Sequence, residues 1–185
     1  MNSHPTLDKL QHAIVSLFFE CLKLHDPVTP LEFSLSGDFR GKFNAVVGVL
    51  DTDDENAMVV ATLPRYSKTV FIGLTRSGEL DLARLLANLE DLERENTKPL
   101  VLGEVIGHPM APGESDTSPF ATILLPVATS AILRNLPPIA VFDNQEIRIV
   151  FVLPLSRGEL ECRNVLGHDA MIDMFQREGK SLFFQ

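Results

Sequence analysis

The chain is 185 residues long, 45% hydrophobic, and carries a formal charge of −9 at neutral pH. That length encloses one well-buried core and is short for two, so a single domain over residues 1–185 is expected. The acidic balance argues against general affinity for a phosphate backbone, which needs a concentrated Lys/Arg surface that releases counterions, so no nucleic-acid partner is expected and a basic one is favoured.

The opening residues MNSHPTLDKLQH hold no basic stretch followed by an apolar one. No uninterrupted apolar run approaches the ~18 residues that span a bilayer, so a soluble cytoplasmic chain without a membrane partner is expected. Leu7, Leu10, Ile14, Leu17, Phe18, Cys21 and Leu22 recur at spacings of three and four. They predict an amphipathic helix of roughly five turns, capped by Thr6 and lying against a sheet. Pro27 and Pro30 end it, because the residue before a proline is pushed out of the helical region. A strand over Leu31–Leu35 and a loop over Gly37–Gly41 follow.

Phe43–Leu50 and Met58–Leu63 are β-rich runs joined by the polar stretch Asp51–Asn56, the pattern of an extended hairpin. Lys68–Leu74 adds a third strand. Ser77-Gly-Glu-Leu80 opens a helix whose Leu82, Leu85, Leu86, Leu89 and Leu92 form a core stripe. Leu100–Ile106 is predicted as a short strand, and the prolines of His108–Pro119 make that stretch a loop. Phe120–Val127 is predicted as a buried strand, with a small helix or irregular turn over Ala128–Pro138.

The rest of the chain is arranged around Ile139–Gln176. Ile147, Ile149, Phe151 and Leu153 share one parity and Val150 and Val152 fill the other, as in a strand covered on both faces. Pro154, lacking an N–H, is expected to stop the ladder, and Ser156-Arg-Gly-Glu159 stands in the order of a capping box. Past Leu166-Gly167 a second helix puts Met171, Ile172 and Phe175 on one face, with Gly179 at its C′ position. Strict βα alternation is missing. The fold class expected is α+β: a mixed, mostly antiparallel sheet of about six to eight strands with helices packed on its faces.

Chemical motifs are sparse. Asp51, Asp53, Asp54 and Glu55 could offer oxygen ligands to calcium, but their loop lacks the glycine and the closing glutamate of an EF-hand and reads as a solvated hairpin tip. His25-Asp26 and His168-Asp169 are sequence neighbours, which rarely face one another, and both aspartates have local backbone roles. Cys21 and Cys162 have no partner at metal spacing and read as buried thiols. Gly-x-Ser-x-Gly, the phosphate loop and HExxH are absent, so neither catalytic residues nor a cofactor are assigned.

The order of strand, Pro-Leu-Ser, Glu-Leu, Gly and short amphipathic helix resembles the C-terminal signature of the suppressor-of-fused family. The helix over 80–95, leading through Leu102-Gly103 to Gly107-His108-Pro109 and then Ser118–Pro126, is similar to that family's Gly-His turn and Phe-containing strand. The resemblance covers roughly residues 79 to 176, while the N-terminal third matches in outline and has no Trp. It implies a mixed α/β domain that binds another protein and is not an enzyme. Animal members clasp a transcription-factor peptide, and bacterial relatives are thought to include immunity proteins that neutralise toxin domains. A bacterial-type single-domain member is implied here, since 185 residues cannot hold the further domain of the eukaryotic proteins. The resemblance singles out Gly107 and His108 as a structural pin between two strands.

For a binding surface the sequence nominates Asp51, Asp53, Asp54 and Glu55, together with the proline-rich loop at Met110 and Glu114. The partner expected is a basic toxin domain or an extended peptide. The alternative is a small hydrolase or metal-dependent enzyme assembled from His25, Asp51, His108 and His168, and their convergence in a deep pocket would favour it.

Overall fold

The computed structural model describes residues 6–25, 27–35, 37–52, 56–107, 121–178 and 182–184. Helix α1 (Lys9–Cys21) starts two residues later than the leucine spacing suggests, because Asp8 and not Thr6 is its cap. The Asp8 carboxylate accepts the Gln11 N–H at 2.8 Å and the Gln11 side chain accepts the Asp8 N–H at 3.2 Å. Thr6 has Lys9 three residues on, a side chain without an acceptor, so no reciprocal box can close there.

Strands β1 (Thr29–Phe33), β2 (Phe43–Val49), β3 (Met58–Thr62) and β4 (Thr69–Thr75) form an antiparallel meander. β1 begins at Thr29, so Pro30 lies inside it, as an edge strand tolerates. Helix α2 (Glu79–Asn96) returns across one face of β2, β3 and β4. Its cap is Gly78 in the left-handed region, with no side-chain bond; Ser77 instead accepts the Thr75 hydroxyl through its carbonyl. Leu82, Leu86 and Leu89 of the predicted stripe are buried.

After α2 the turn at Leu102-Gly103 occupies most of the stretch expected to be strand. Gly103 has φ 83 and donates its N–H to the Leu124 carbonyl, and only β5 (Val105–Gly107) joins the sheet. β6 (Ala121–Pro126), a 3₁₀ turn (Val127–Thr129), β7 (Ile139–Phe142) and β8 (Gln145–Leu155) follow. Two helices, α3 (Arg157–Leu166) and α4 (His168–Glu178), and the short β9 (Phe183–Phe184) complete the described residues.

The strand order is β1-β2-β3-β4-β8-β6-β5, with β7 added to β8 and β9 to β4, nine strands among the described residues. Pairing is antiparallel except at β4–β8 and β4–β9. This exceeds the expected strand number for two reasons. β7 is separated from β8 by Asp143-Asn144, whose φ values of 46 and 66 fit the tight turn that suits right-handed strand twist. β9 is too short for periodicity to reveal.

β8 is the axis. Arg148 pairs with Thr69 on one edge and Ile139 on the other, and Phe151 pairs with Ile72 and Leu125, so β7 and β6 share the second edge end to end. Ile147, Ile149, Phe151 and Leu153 enter the core with α1 and α4, while Val150 and Val152 enter the core beneath α2. Each such side chain contributes about 1.5–3 kcal/mol through burial. Pro154 does not stop the ladder, for it pairs with Thr122 and β8 runs on to Leu155. The β4 ladder has already ended at Phe151, so Pro154 has a paired strand on one edge only, where a missing donor is tolerated.

The capping box at α3 forms as read: Ser156 N–H donates to Glu159 Oε2 at 2.7 Å, and Glu159 N–H donates to Ser156 Oγ at 3.4 Å. Met171 and Phe175 are buried on the core face of α4, and Gly179 lies outside the described residues. Cys21 and Cys162 are half-buried and not enclosed, because one ends α1 and the other sits on α3, a helix that buries no residue.

Candidate functional site

Strand register makes the chain leave for both nominated recognition stretches from one end of the sheet. Val49 pairs with Met58 and Met58 with Thr75, so the segment holding Asp51 leaves from the end where β4 finishes. Gly107 pairs with Ala121 and Ala121 with Leu155, so the connection holding Met110 and Glu114 leaves from the end where β8 finishes. β4 and β8 are parallel, so these are the same end. Asp53, Asp54, Glu55, His108, Met110 and Glu114 themselves lie outside the described residues.

Asp51 is exposed, its N–H held by the Lys23 carbonyl at 2.8 Å. His25 Nε2 stands 3.7 Å from its carboxylate, with the two side chains 62% and 66% exposed. The structure therefore joins two members of the dispersed constellation at the surface, where Asp51 also edges a cleft of about 260 Å³ with Lys23 and Arg134, and His25 is not among the residues that line it. His168 heads α4, and its Nδ1 is buried without a partner among the described residues. Among those residues no group of three or more His, Cys, Asp or Glu side chains is placed to hold a metal ion. Gly107 is the last residue of β5 and pairs with Ala121, and Gly103 is the glycine of the preceding turn; His108 lies outside the described residues.

The opposite end of the sheet carries a polar site that the sequence reading missed. There the β3–β4 turn (63–68), the C-terminal part of α2, the β7–β8 turn and the start of α1 meet. Glu90 and Glu93, three residues apart on α2, are both buried. Glu90 Oε1 accepts the N–H of Arg65 at 2.8 Å and that of Tyr66 at 2.9 Å, while Oε2 is buried with no partner among the described residues. Burial pushes the Glu90 carboxyl up to about 7; the two backbone donors and the Arg65 charge pull it down, and Glu93 adds to the rise.

Glu93 is better matched. Its Oε1 accepts from Leu100 N–H at 2.8 Å, from the Thr69 hydroxyl at 3.1 Å and from Arg148 at 2.8 Å. Arg148 also donates to the Leu100 carbonyl at 3.0 Å and to Thr69 Oγ1 at 2.8 Å.

The turn is clamped from its other side by Tyr66, whose ring meets Phe39 and Phe43 edge-on at 5.1 and 5.3 Å and whose Oη accepts the Lys42 N–H at 3.1 Å. Arg94 lies 3.9 Å above the Phe39 ring, and Gln11 Nε2 donates to the Leu63 carbonyl at 3.0 Å. Two clefts flank the turn. One of about 500 Å³ lies between it and the end of α2, edged by Lys68, Lys98 and Arg148; the other, about 550 Å³, is edged by Asp8, Pro64 and Gln145. Tyr66, Ser67 and Lys68 line both. A sequence signal for this site existed: Leu82, Leu86, Glu90 and Glu93 fall at helical spacing on one face, so two carboxylates continue the apolar stripe.

The meander, the long two-faced β8 and the helices on both faces define an α+β domain with a suppressor-of-fused-like fold. No protein-family model and no curated protein matches the sequence. Among solved structures, the chain is similar to a "Putative SUFU (suppressor of fused protein) homolog" from Neisseria gonorrhoeae FA 1090, with a TM-score of 0.68, 14% identity, and coverage of 94% of this chain and 92% of that one. A Sufu–Fu complex structure matches with a TM-score of 0.48 and 10% identity over 94% of this chain and 85% of that one. At such identities the first likeness is one of fold, and it agrees with the resemblance carried by residues 79 to 176. Among the described residues no helix is long and apolar enough to cross a membrane.

Proposed function

We propose that the chain is a bacterial-type, non-catalytic protein-binding domain that works in the cytoplasm. Its recognition surface is formed by Asp51, Asp53, Asp54 and Glu55 and by Met110 and Glu114, which belong to the two connections that leave the sheet from one end. The observation that carries this reading is the shared end: the register of β2, β3 and β4 and that of β5, β6 and β8 bring both attachments to one side of the molecule. The net charge of −9 suits a basic partner, and neutralisation of a basic toxin domain is the role that fits an acidic surface best. An extended peptide has a second route. β7 pairs with β8 alone among the described strands, with Ile139 and Val141 51% and 63% exposed beside its outer edge.

The test uses the full chain, immobilised and challenged with native lysate, beside a variant combining Asp53→Lys, Asp54→Lys and Glu55→Lys. The expected result is a basic protein retained by the parent and lost by the variant. Equal retention by both, or no specific retention by either, refutes this surface assignment.

A further inference from the structure

The β3–β4 turn is tied to α2 through one carboxyl oxygen. Arg65 N–H and Tyr66 N–H converge on Glu90 Oε1, and the other oxygen of the same group is enclosed with nothing to accept from or donate to among the described residues. An ionised group in that position carries a buried charge of which only half is solvated by donors, whereas a hydrated turn would supply water to both oxygens. The charges acting on it are Glu93 on α2 and Arg65 on the turn. Glu93 is itself matched by Arg148 of β8 at 2.8 Å, and the Arg65 guanidinium is drawn to Glu32 of β1 at 3.6 Å. Neither neighbour offers Glu90 Oε2 a bond.

We propose that Glu90 is a proton-operated latch on the β3–β4 turn: protonated, it stays beneath the turn and both flanking clefts keep their shape; ionised, it draws water in, loosens the turn and reshapes the clefts that Tyr66, Ser67 and Lys68 line. The direction follows from linkage. The closed turn binds the proton with a carboxyl value of about 7, the open and hydrated turn with the ordinary 4.5, so rising pH favours the open form. That difference corresponds to a bias of up to ~300-fold between acid and alkaline pH. The change is local to the turn, because Leu63, Val70 and Leu86 around it are buried in the two cores.

The chain has one tyrosine and no tryptophan, so its intrinsic emission reports on Tyr66 alone. The experiment measures that emission and the hydrogen-exchange protection of the Arg65 and Tyr66 amides between about pH 5 and about pH 9, corrected for the intrinsic pH dependence of exchange. Expected over that range are a fall in protection of up to ~80-fold and an emission change with a common midpoint near neutrality, both absent in Glu90→Gln. The Val60 amide, in the middle of β3, serves as the control that does not move. Protection that is flat with pH, or that falls equally in Glu90→Gln, overturns the latch. If that variant does not fold, carbon-13 titration of the Glu90 carboxyl in the unaltered chain decides: a midpoint near 7 shared with the amides supports it, and a midpoint near 4.5 overturns it.

Discussion

Glu93 Oε1 and Arg148 Nη2 stand 2.8 Å apart, joining the last turns of α2 to the start of β8 with the carboxylate side chain 4% exposed and the guanidinium 30%. The same oxygen takes the Thr69 hydroxyl and the Leu100 N–H, so the pair fixes the exit of α2 as well as its packing on the sheet. A pair this buried gains little net energy over an apolar substitute, but it penalises the loss of either member.

Arg148→Ala therefore leaves the Glu93 charge buried without a cation and should cost roughly 3–5 kcal/mol. Combining Glu93→Leu with Arg148→Met should recover much of that loss, since apolar side chains of similar volume remove both charges together. Urea denaturation of the three chains checks it. A cost under about 1 kcal/mol for Arg148→Ala means that the pair does not anchor the α2 exit.

Glu90 makes global stability depend on pH in a stated direction. Its folded value is raised to about 7 from 4.5, so the folded chain binds the extra proton between those values. The stability this group allows is fully present below about 4.5 and is lost as pH rises through about 7, by at most roughly 3 kcal/mol, the limit for a turn that stays closed. Glu90→Gln cannot ionise. It should be more stable than the parent at about pH 8, with most of that gap gone by about pH 5, as urea midpoints across that range will read.

The α3 box gives a local prediction. Removing the Ser156 hydroxyl by Ser156→Ala should cost about 1 kcal/mol of helix stability. Because α3 buries no residue, the loss should appear as faster amide exchange in Glu159 and Leu160, with little change in the global unfolding midpoint. An unchanged exchange rate would show that contacts with α4 and not the cap hold this helix.

Charge reversal at Asp53, Asp54 and Glu55 should abolish capture of a basic partner while altering stability by no more than about half a kcal/mol per substitution. Circular dichroism and a thermal melt on the variant used for capture separate the two effects. A severe drop in melting temperature would make the stretch a structural one and withdraw it from recognition.

The sequence went furthest where the governing interactions are local. The alternation through Ile147–Leu153, the box at Ser156 and Glu159, the Met171/Phe175 face and the hairpin over Phe43–Leu63 all depend on residues a few positions apart. So does the resemblance to suppressor-of-fused proteins, which the fold bears out. Local reading failed at the edges of elements. Thr6 lost the α1 cap to Asp8 because only Asp8 has an acceptor-bearing side chain three residues on. Pro154 was tolerated because β4 had already left its side of β8.

By itself, then, the amino-acid order determined the long strands and the helices, which face of each is apolar and that the class is α+β, since periodicity and capping are properties of neighbours along the chain. Only the tertiary structure decided that both nominated loops leave from one end of the sheet and that His25 meets Asp51 in solvent. It alone set Glu90 under the Arg65–Tyr66 turn and Glu93 against Arg148, residues 24 to 55 positions apart. Those pairings depend on strand order and on how a helix lies across a sheet, and no spacing along the chain encodes them.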